Sequence, residues 1–274
     1  MGALGALNLS ESILQLFDGI DILTFSHTGH NPTDPIPEIP GFRAVVCTSR
    51  PYDSKSGGVA IYISSKLPSK SAILLHDLPE FGMAWIRINL HGRSIFLCCS
   101  YIPPQSSTYF KHEDGNLDAT AHFNALRFYI AKFTAGGEVI VIGDLNARTG
   151  HADDRFSDSE MAEWQDLNVT NLPVPSDLNI LLAARNIPPR RSTESDPRPN
   201  PHGKCILDIC RDNGLVILNG RLPGDPNGSQ TYFQHGNNFR VSLIDYCITS
   251  PSLAFSPSGS PSPSTDFTVI DINS

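Results

Sequence analysis

Glu138-Val-Ile-Val-Ile-Gly-Asp-Leu-Asn-Ala147 is the stretch that decides the fold. Val139 to Ile142 form a near-continuous apolar run, which reads as a strand covered on both faces. Gly143 lets the backbone approach a neighbour closely. Asp144 and Asn146 follow, two apart at the strand end, and period-two geometry points both side chains to one side. A carboxylate beside a carboxamide can hold a metal-bound phosphate and an attacking water together. Asp and Asn are also ordinary residues of a strand-ending turn, so this stretch alone leaves both readings open.

Before this strand, Leu126, Tyr129, Ile130 and Phe133 fall on one face and predict a helix over 120–133, ended by Gly136-Gly137. Further upstream, β-branched and aromatic runs predict strands at Asp21–Phe25, Phe42–Cys47, Gly58–Ile63, Met83–Asn89 and Ser94–Tyr101. Ser10 is placed to cap a short helix reaching Phe17. The proline-rich stretch Asn31–Gly41 reads as a loop.

Downstream, 149–202 is polar and proline-rich. It reads as a long surface loop region with one helix around 177–185. A helix from about Gly203 to Asn213 follows, then strands at Leu215–Leu218, Gln230–Phe233 and Val241–Thr249. The expected organisation is one domain over 1–250, then a Ser/Pro-rich segment over 251–274 with a last strand at Phe267–Ile272. Many strands, few helices and no regular βα alternation indicate an α/β fold with two packed sheets and helices outside.

Composition narrows the class. Of 274 residues, 40% are hydrophobic and 18% charged, which allows a sizeable core and excludes disorder throughout. The net charge of -8 weighs against nucleic-acid binding through bulk positive charge. It leaves room for a nuclease, because a bound cation offsets clustered carboxylates. Arg185, Arg190, Arg191 and Arg198 form one small basic cluster, interrupted by Glu194 and Asp196. It is either a contact for a phosphate backbone or a solvated loop. The six cysteines sit mostly in apolar runs without zinc-ligand spacing, as buried thiols of a reduced compartment. With no signal peptide and no apolar run near the ~20 residues of a membrane span, an intracellular setting, the nucleus included, is expected.

Two further residues carry chemistry. Asp245 lies inside the apolar run Leu243-Ile-Asp-Tyr-Cys-Ile248. A buried carboxylate needs a partner. A histidine would suit a hydrolase, whereas backbone amides would make the residue structural. Tyr101, in Ser100-Tyr-Ile-Pro-Pro104, ends a strand where its phenol can donate to a phosphate oxygen.

These signals occur in order with Asp21-Ile-Leu-Thr-Phe-Ser26, Gly57-Gly-Val-Ala-Ile-Tyr-Ile63, Gly143-Asp-Leu-Asn-Ala-Arg-Thr-Gly150, Leu207–Arg221 and Gly224-Asp-Pro-Asn-Gly-Ser-Gln-Thr231. As an ordered set over about 10–250, the chain resembles the endonuclease/exonuclease/phosphatase superfamily. Within it, the resemblance is to the non-LTR retrotransposon branch, similar to apurinic/apyrimidinic endonucleases. It implies a four-layer α/β sandwich, two packed mixed β-sheets flanked by helices, and a Mg²⁺- or Mn²⁺-dependent phosphodiesterase acting on DNA. No membrane is implied. Asp144 would act near the attacking water, Asn146 would position the phosphate and Tyr101 would contact it. Asn219 and Thr231 would lie near the cleft, and Asp245 would orient a histidine.

The pattern also departs from that family. Phe25-Ser-His-Thr28 puts His27 where a metal-binding Glu belongs, and imidazole is a poor ligand for Mg²⁺. His27 with His30 could form a transition-metal pair, or both could be plain loop residues. The opening Asn and the closing Ser-Asp-His of the family are not matched. The expectation is therefore a domain truncated at both ends and impaired. The alternatives are a catalytically dead domain acting at most as a binding module, and a phosphatase for a small phosphoester.

Overall fold

The computed structural model describes residues 15, 17–49, 57–90, 92–107, 119–157, 159–160, 179–180, 182–183, 186–194, 197–234 and 240–253. The expected helix before Phe17 and the expected strand at 267–272 lie almost wholly or wholly outside them. The described residues form two compact units. The first holds residues up to 125 together with 141–146, and the second holds 126–140 and 147–253.

In the first unit, strands β1 (Ile22–Ser26), β2 (Phe42–Thr48) and β3 (Val59–Ser64) form an antiparallel sheet in the order β1-β3-β2. Every residue of β3 is buried, as its central place requires. Phe17, Leu23, Phe25, Ile39 and Tyr62 pack together on this sheet, and Phe25 meets Tyr62 edge to face. β4 (Ala72–Leu78), β5 (Met83–Leu90) and β6 (Arg93–Ser100) run antiparallel in that order. A single 3-10 turn, Pro79–Phe81, joins β4 to β5. Next in order comes β7 (Glu138–Asp144), which contributes residues 141–144 to this unit.

β4 is absent from the sequence expectations. Its register slips between Leu74 and His76, and Ile73 and Leu74 are exposed. A bulged edge strand shows neither clean alternation nor a continuous apolar run, so periodicity does not reveal it.

Helix α1 (Ala119–Thr134) has the expected extent within one residue at each end. In the second unit, residues 138–140 of β7 are followed in sheet order by β11 (Asp245–Thr249) and β8 (Val216–Ile217). β9 (Tyr232–Gln234) and β10 (Arg240–Ser242) form a separate antiparallel pair. The single strand expected at Val241–Thr249 is therefore two. The Oγ1 of Thr231 accepts the N–H groups of both Ile244 and Asp245 at 3.2 Å, which takes those donors away from a continuous ladder.

Helix α2 (Pro201–Asn213) starts two residues earlier than expected. Asn200 caps it: its Oδ1 accepts from the N–H of Gly203 at 2.7 Å and of Arg148 at 2.9 Å. Asn followed by Pro at the first helical position is the sequence signal that the start at Gly203 overlooked. Asn200→Ala removes both bonds. It is expected to lower stability by about 1–2 kcal/mol, read as a shift of the urea midpoint at unchanged slope.

Candidate active site

The first unit builds its site at the C-terminal end of β7. Residues 139–142 are buried, as the apolar run predicts. At Gly143, φ is 142°, and an added Cβ would lie 1.9 Å from the carbonyl oxygen of Ser100. Only glycine allows that approach. The backbone beyond it is tied at three points. Asp144 N–H donates to Ser26 Oγ at 3.3 Å, Ile102 N–H donates to Asp144 O at 2.9 Å, and Asn146 Nδ2 donates to Ile102 O at 2.9 Å.

Asp144 and Asn146 are brought together by a turn and not by strand alternation. β7 ends at Asp144, whose Oδ1 accepts the N–H of Asn146 at 2.9 Å. Asn146 sits in the left-handed region at φ 44°, which Asn tolerates better than most residues. The turn reading of this stretch is thus correct, and it is compatible with a site. The turn leaves Asp144 buried and Asn146 half-buried.

Tyr101 is buried directly after β6, and its ring stacks on that of His27, with centroids 4.9 Å apart and planes at 22°. His27 follows β1 and is also left-handed, at φ 56°. The ends of β1, β6 and β7 therefore assemble His27, Tyr101, Asp144 and Asn146 within the first unit. His30 is half-buried, with its backbone N–H on Thr28 Oγ1 at 3.4 Å.

The second unit holds the other three predicted residues together. Asp245 is buried and opens β11. Asn219 spans that strand: its Nδ2 donates to Asp245 O at 3.1 Å and its Oδ1 accepts from Cys247 N–H at 3.0 Å. Thr231 holds the strand start, as described above. Asn219 and Thr231 thus spend these polar atoms on β11 backbone, which positions Asp245.

Residues 3–267 match the model of the endonuclease/exonuclease/phosphatase family. The chain belongs to this family. No curated protein matches it. Several solved structures share the fold. AP endonuclease LMAP from Leishmania major is 14% identical with a TM-score of 0.57, covering 92% of this chain and 77% of that one. The catalytic domain of Xenopus laevis APE2 is 15% identical at 0.56, covering 92% and 80%. The endonuclease domain of TRAS1, a telomere-specific non-LTR retrotransposon, is 13% identical at 0.50, covering 90% and 82%. The fold class is accordingly the α/β sandwich expected from the sequence. No helix among the described residues is long and apolar enough to cross a membrane.

Nucleases of this family typically use divalent metals. Mg²⁺ takes hard oxygen donors in near-octahedral geometry. In the first unit's cluster, Asp144 supplies the one carboxylate, already accepting an N–H, and His27 supplies an imidazole. Among the described residues no three His, Cys, Asp or Glu side chains come together as a metal-holding group. Among the described residues, these donors by themselves do not fit a tightly held Mg²⁺ or Mn²⁺.

Sequence reasoning also missed one feature of this family member. Asp154, within the stretch read as a surface loop, is fully buried against Arg221. Arg221 stood in the quoted motif without a role. Its Nη1 and Nη2 reach the two Asp154 oxygens at 2.6 and 2.8 Å, and its other N–H groups go to the carbonyls of Pro188, Pro189 and Ile217. Of the basic cluster, Arg191 is directed inward, with Nη2 on the carbonyls of Gly150 and Ala152 at 2.7 and 3.1 Å.

Proposed function

We propose that this chain is a phosphodiesterase domain of the DNA-nicking type used by non-LTR retrotransposons, with an impaired active site. The observation that carries this reading is the joint placement of Tyr101, Asp144 and Asn146 by the β6 and β7 ends, with His27 stacked on Tyr101. Tyr101 would donate its phenolic proton to a phosphate oxygen, and the Asn146 carboxamide would orient the phosphate. Asp144 would hold the attacking water and accept its proton. Asp245, positioned by Asn219 and Thr231, would orient a further catalytic group.

Impairment follows from the donor set. Charge developing on the phosphoryl oxygens needs a preorganised counter-charge, and a site with His27 in place of a carboxylate holds a hard cation poorly. DNA is the proposed substrate. The ordered motif set, with its Asn219-Gly-Arg221 and Gly224-Asp-Pro-Asn-Gly228 segments, favours it over a small phosphoester.

The test is nicking of supercoiled plasmid with Mg²⁺ or Mn²⁺ by the wild type, Asp144→Ala and His27→Glu. The expected result is background nicking by wild type and Asp144→Ala, with His27→Glu gaining at least about tenfold, together with tighter Mn²⁺ binding by calorimetry. Wild-type nicking that disappears in Asp144→Ala would overturn the impairment. Folded His27→Glu with neither metal binding nor nicking would favour a domain that retains only its ancestry.

A further inference from the structure

A cavity of about 490 Å³ lies wholly within the second unit, lined by Asp153, Arg155, Phe156, Asn179, Pro189 and Arg190 among others. Its electrostatics run against the chain's net negative charge. Arg155 and Arg190 line it. Arg211 stands behind, its guanidinium 5.8 Å from the centroid of the Phe156 ring and its Nη2 on the Asp153 carbonyl at 2.8 Å. Among the described residues, the carboxylates beside these three cations are Asp153 and Glu160, which accepts from Ser157 at 2.7 Å, while Asp154 is paired with Arg221. Even Asp153 meets Arg190 only at 3.9 Å, and the Arg190 side chain is 85% exposed.

The donors are undersatisfied as well. Arg155 donates through Nη1 to Asn179 Oδ1, while its Nε is buried without a hydrogen-bond partner among the described residues. Arg211 Nε is in the same state. Buried donors without partners are costly, more so on a charged group. Burial, reinforced by the neighbouring Arg221 and Arg190 charges, holds the Arg155 pKa below its usual value despite Asp154 and Asp153. An anion in the cavity would face the guanidinium groups of Arg155 and Arg190, which line it, and would add counter-charge beside Arg155. Phe156 and Pro189 add apolar surface beside the guanidiniums, a combination suited to a phosphate joined to a flat ring.

We propose that this cavity binds a nucleotide unit, with its phosphate on Arg155 and Arg190 and its base against Phe156 and Pro189. The site stands independently of the phosphodiester chemistry assigned to the first unit. A nucleotide unit can come from a nucleic-acid strand or from a free nucleotide, and the two sources separate experimentally.

The experiment is fluorescence anisotropy of short labelled single-stranded DNA in EDTA, with AMP and inorganic phosphate as competitors. It compares wild type, Arg190→Gln, and Arg155→Gln combined with Arg190→Gln. Thermal melting of each variant checks folding. Wild type should bind the strand, and AMP should compete better than phosphate. The double substitution should weaken binding about tenfold or more, as expected for two lost charge-assisted contacts. Should that variant fail to fold, Arg190→Gln, at an exposed position, must still weaken binding measurably. AMP alone binding, with the same losses, would assign the site to free nucleotides. No wild-type binding of either probe, or equal binding by the folded variants, would overturn the proposal. Competition by phosphate as strong as by AMP would overturn the role of Phe156.

Discussion

Arg221→Ala is expected to destabilise the chain by about 3–5 kcal/mol, because it leaves the Asp154 carboxylate buried without its counter-charge. Both side chains are fully inaccessible to water, and the carboxylate also accepts the Ile217 N–H at 2.8 Å. Total stability of a folded domain is typically ~5–15 kcal/mol, so a loss of this size removes much of it. Arg221→Lys keeps the charge but cannot make the paired contacts to Asp154 and the three carbonyls. It should recover little. Asp154→Leu combined with Arg221→Met removes both charges together and should cost far less than Arg221→Ala. Urea unfolding of the three variants reads these differences. A loss below about 1 kcal/mol for Arg221→Ala would show that water reaches Asp154 and that the pair contributes little.

The same pair sets an acid sensitivity. Burial raises the Asp154 pKa, but the Arg221 hydrogen bonds and charge outweigh it, and the net direction is downward. A carboxylate depressed in the folded state contributes stability that is present above its unfolded pKa of ~4. That contribution is lost as pH falls through the folded value. Wild type should therefore lose stability on acidification below about pH 4, and the Asp154→Leu and Arg221→Met combination should lose less over the same window.

Gly143→Ala should be comparably severe, for a steric reason. The new Cβ would lie 1.9 Å from the Ser100 carbonyl oxygen, a backbone atom that has no rotamer to escape into. The φ of 142° adds strain for any side chain. A cost of about 3 kcal/mol or more is expected, equivalent to a Tm drop on the order of 10 °C for a chain of this size. Because Gly143 directly precedes Asp144, the same change should disturb the bond from the Asp144 N–H to Ser26 Oγ and displace the carboxylate from the Asn146 N–H. Restoration of metal-dependent nicking by His27→Glu should then fail in the Gly143→Ala background. Melting within about 2 °C of wild type would mean that β6 and β7 separate easily at this point.

How much was readable from the sequence depended on the range of the interactions involved. Regular strands and helices announce themselves through the period of their own side chains, so β1, β3, β5, β6, β7 and α1 were legible within a residue or two. β4 was not, because a bulge erases its period. The break between β10 and β11 was not, because Thr231 imposes it from outside the strand. Among the candidate site residues, the ordered motifs named His27, Tyr101, Asp144 and Asn146 individually. The stack of His27 on Tyr101 depends on where β1 and β6 end in space.

Local chemistry in the chain thus determined the element pattern, the α/β class, the family and the residue types offered to a phosphate. Tertiary structure alone decided that Asp144 and Asn146 meet through a left-handed turn, that Asn219 and Thr231 serve the backbone of β11, and that Asp154 and Arg221, 67 residues apart, form a buried pair. It also decided that Arg155, Phe156 and Arg190 face one cavity. The physical reason is that periodicity and propensity act over a few residues along the chain. Burial, charge pairing and close backbone approach depend on neighbours through space, which a linear sequence leaves unstated.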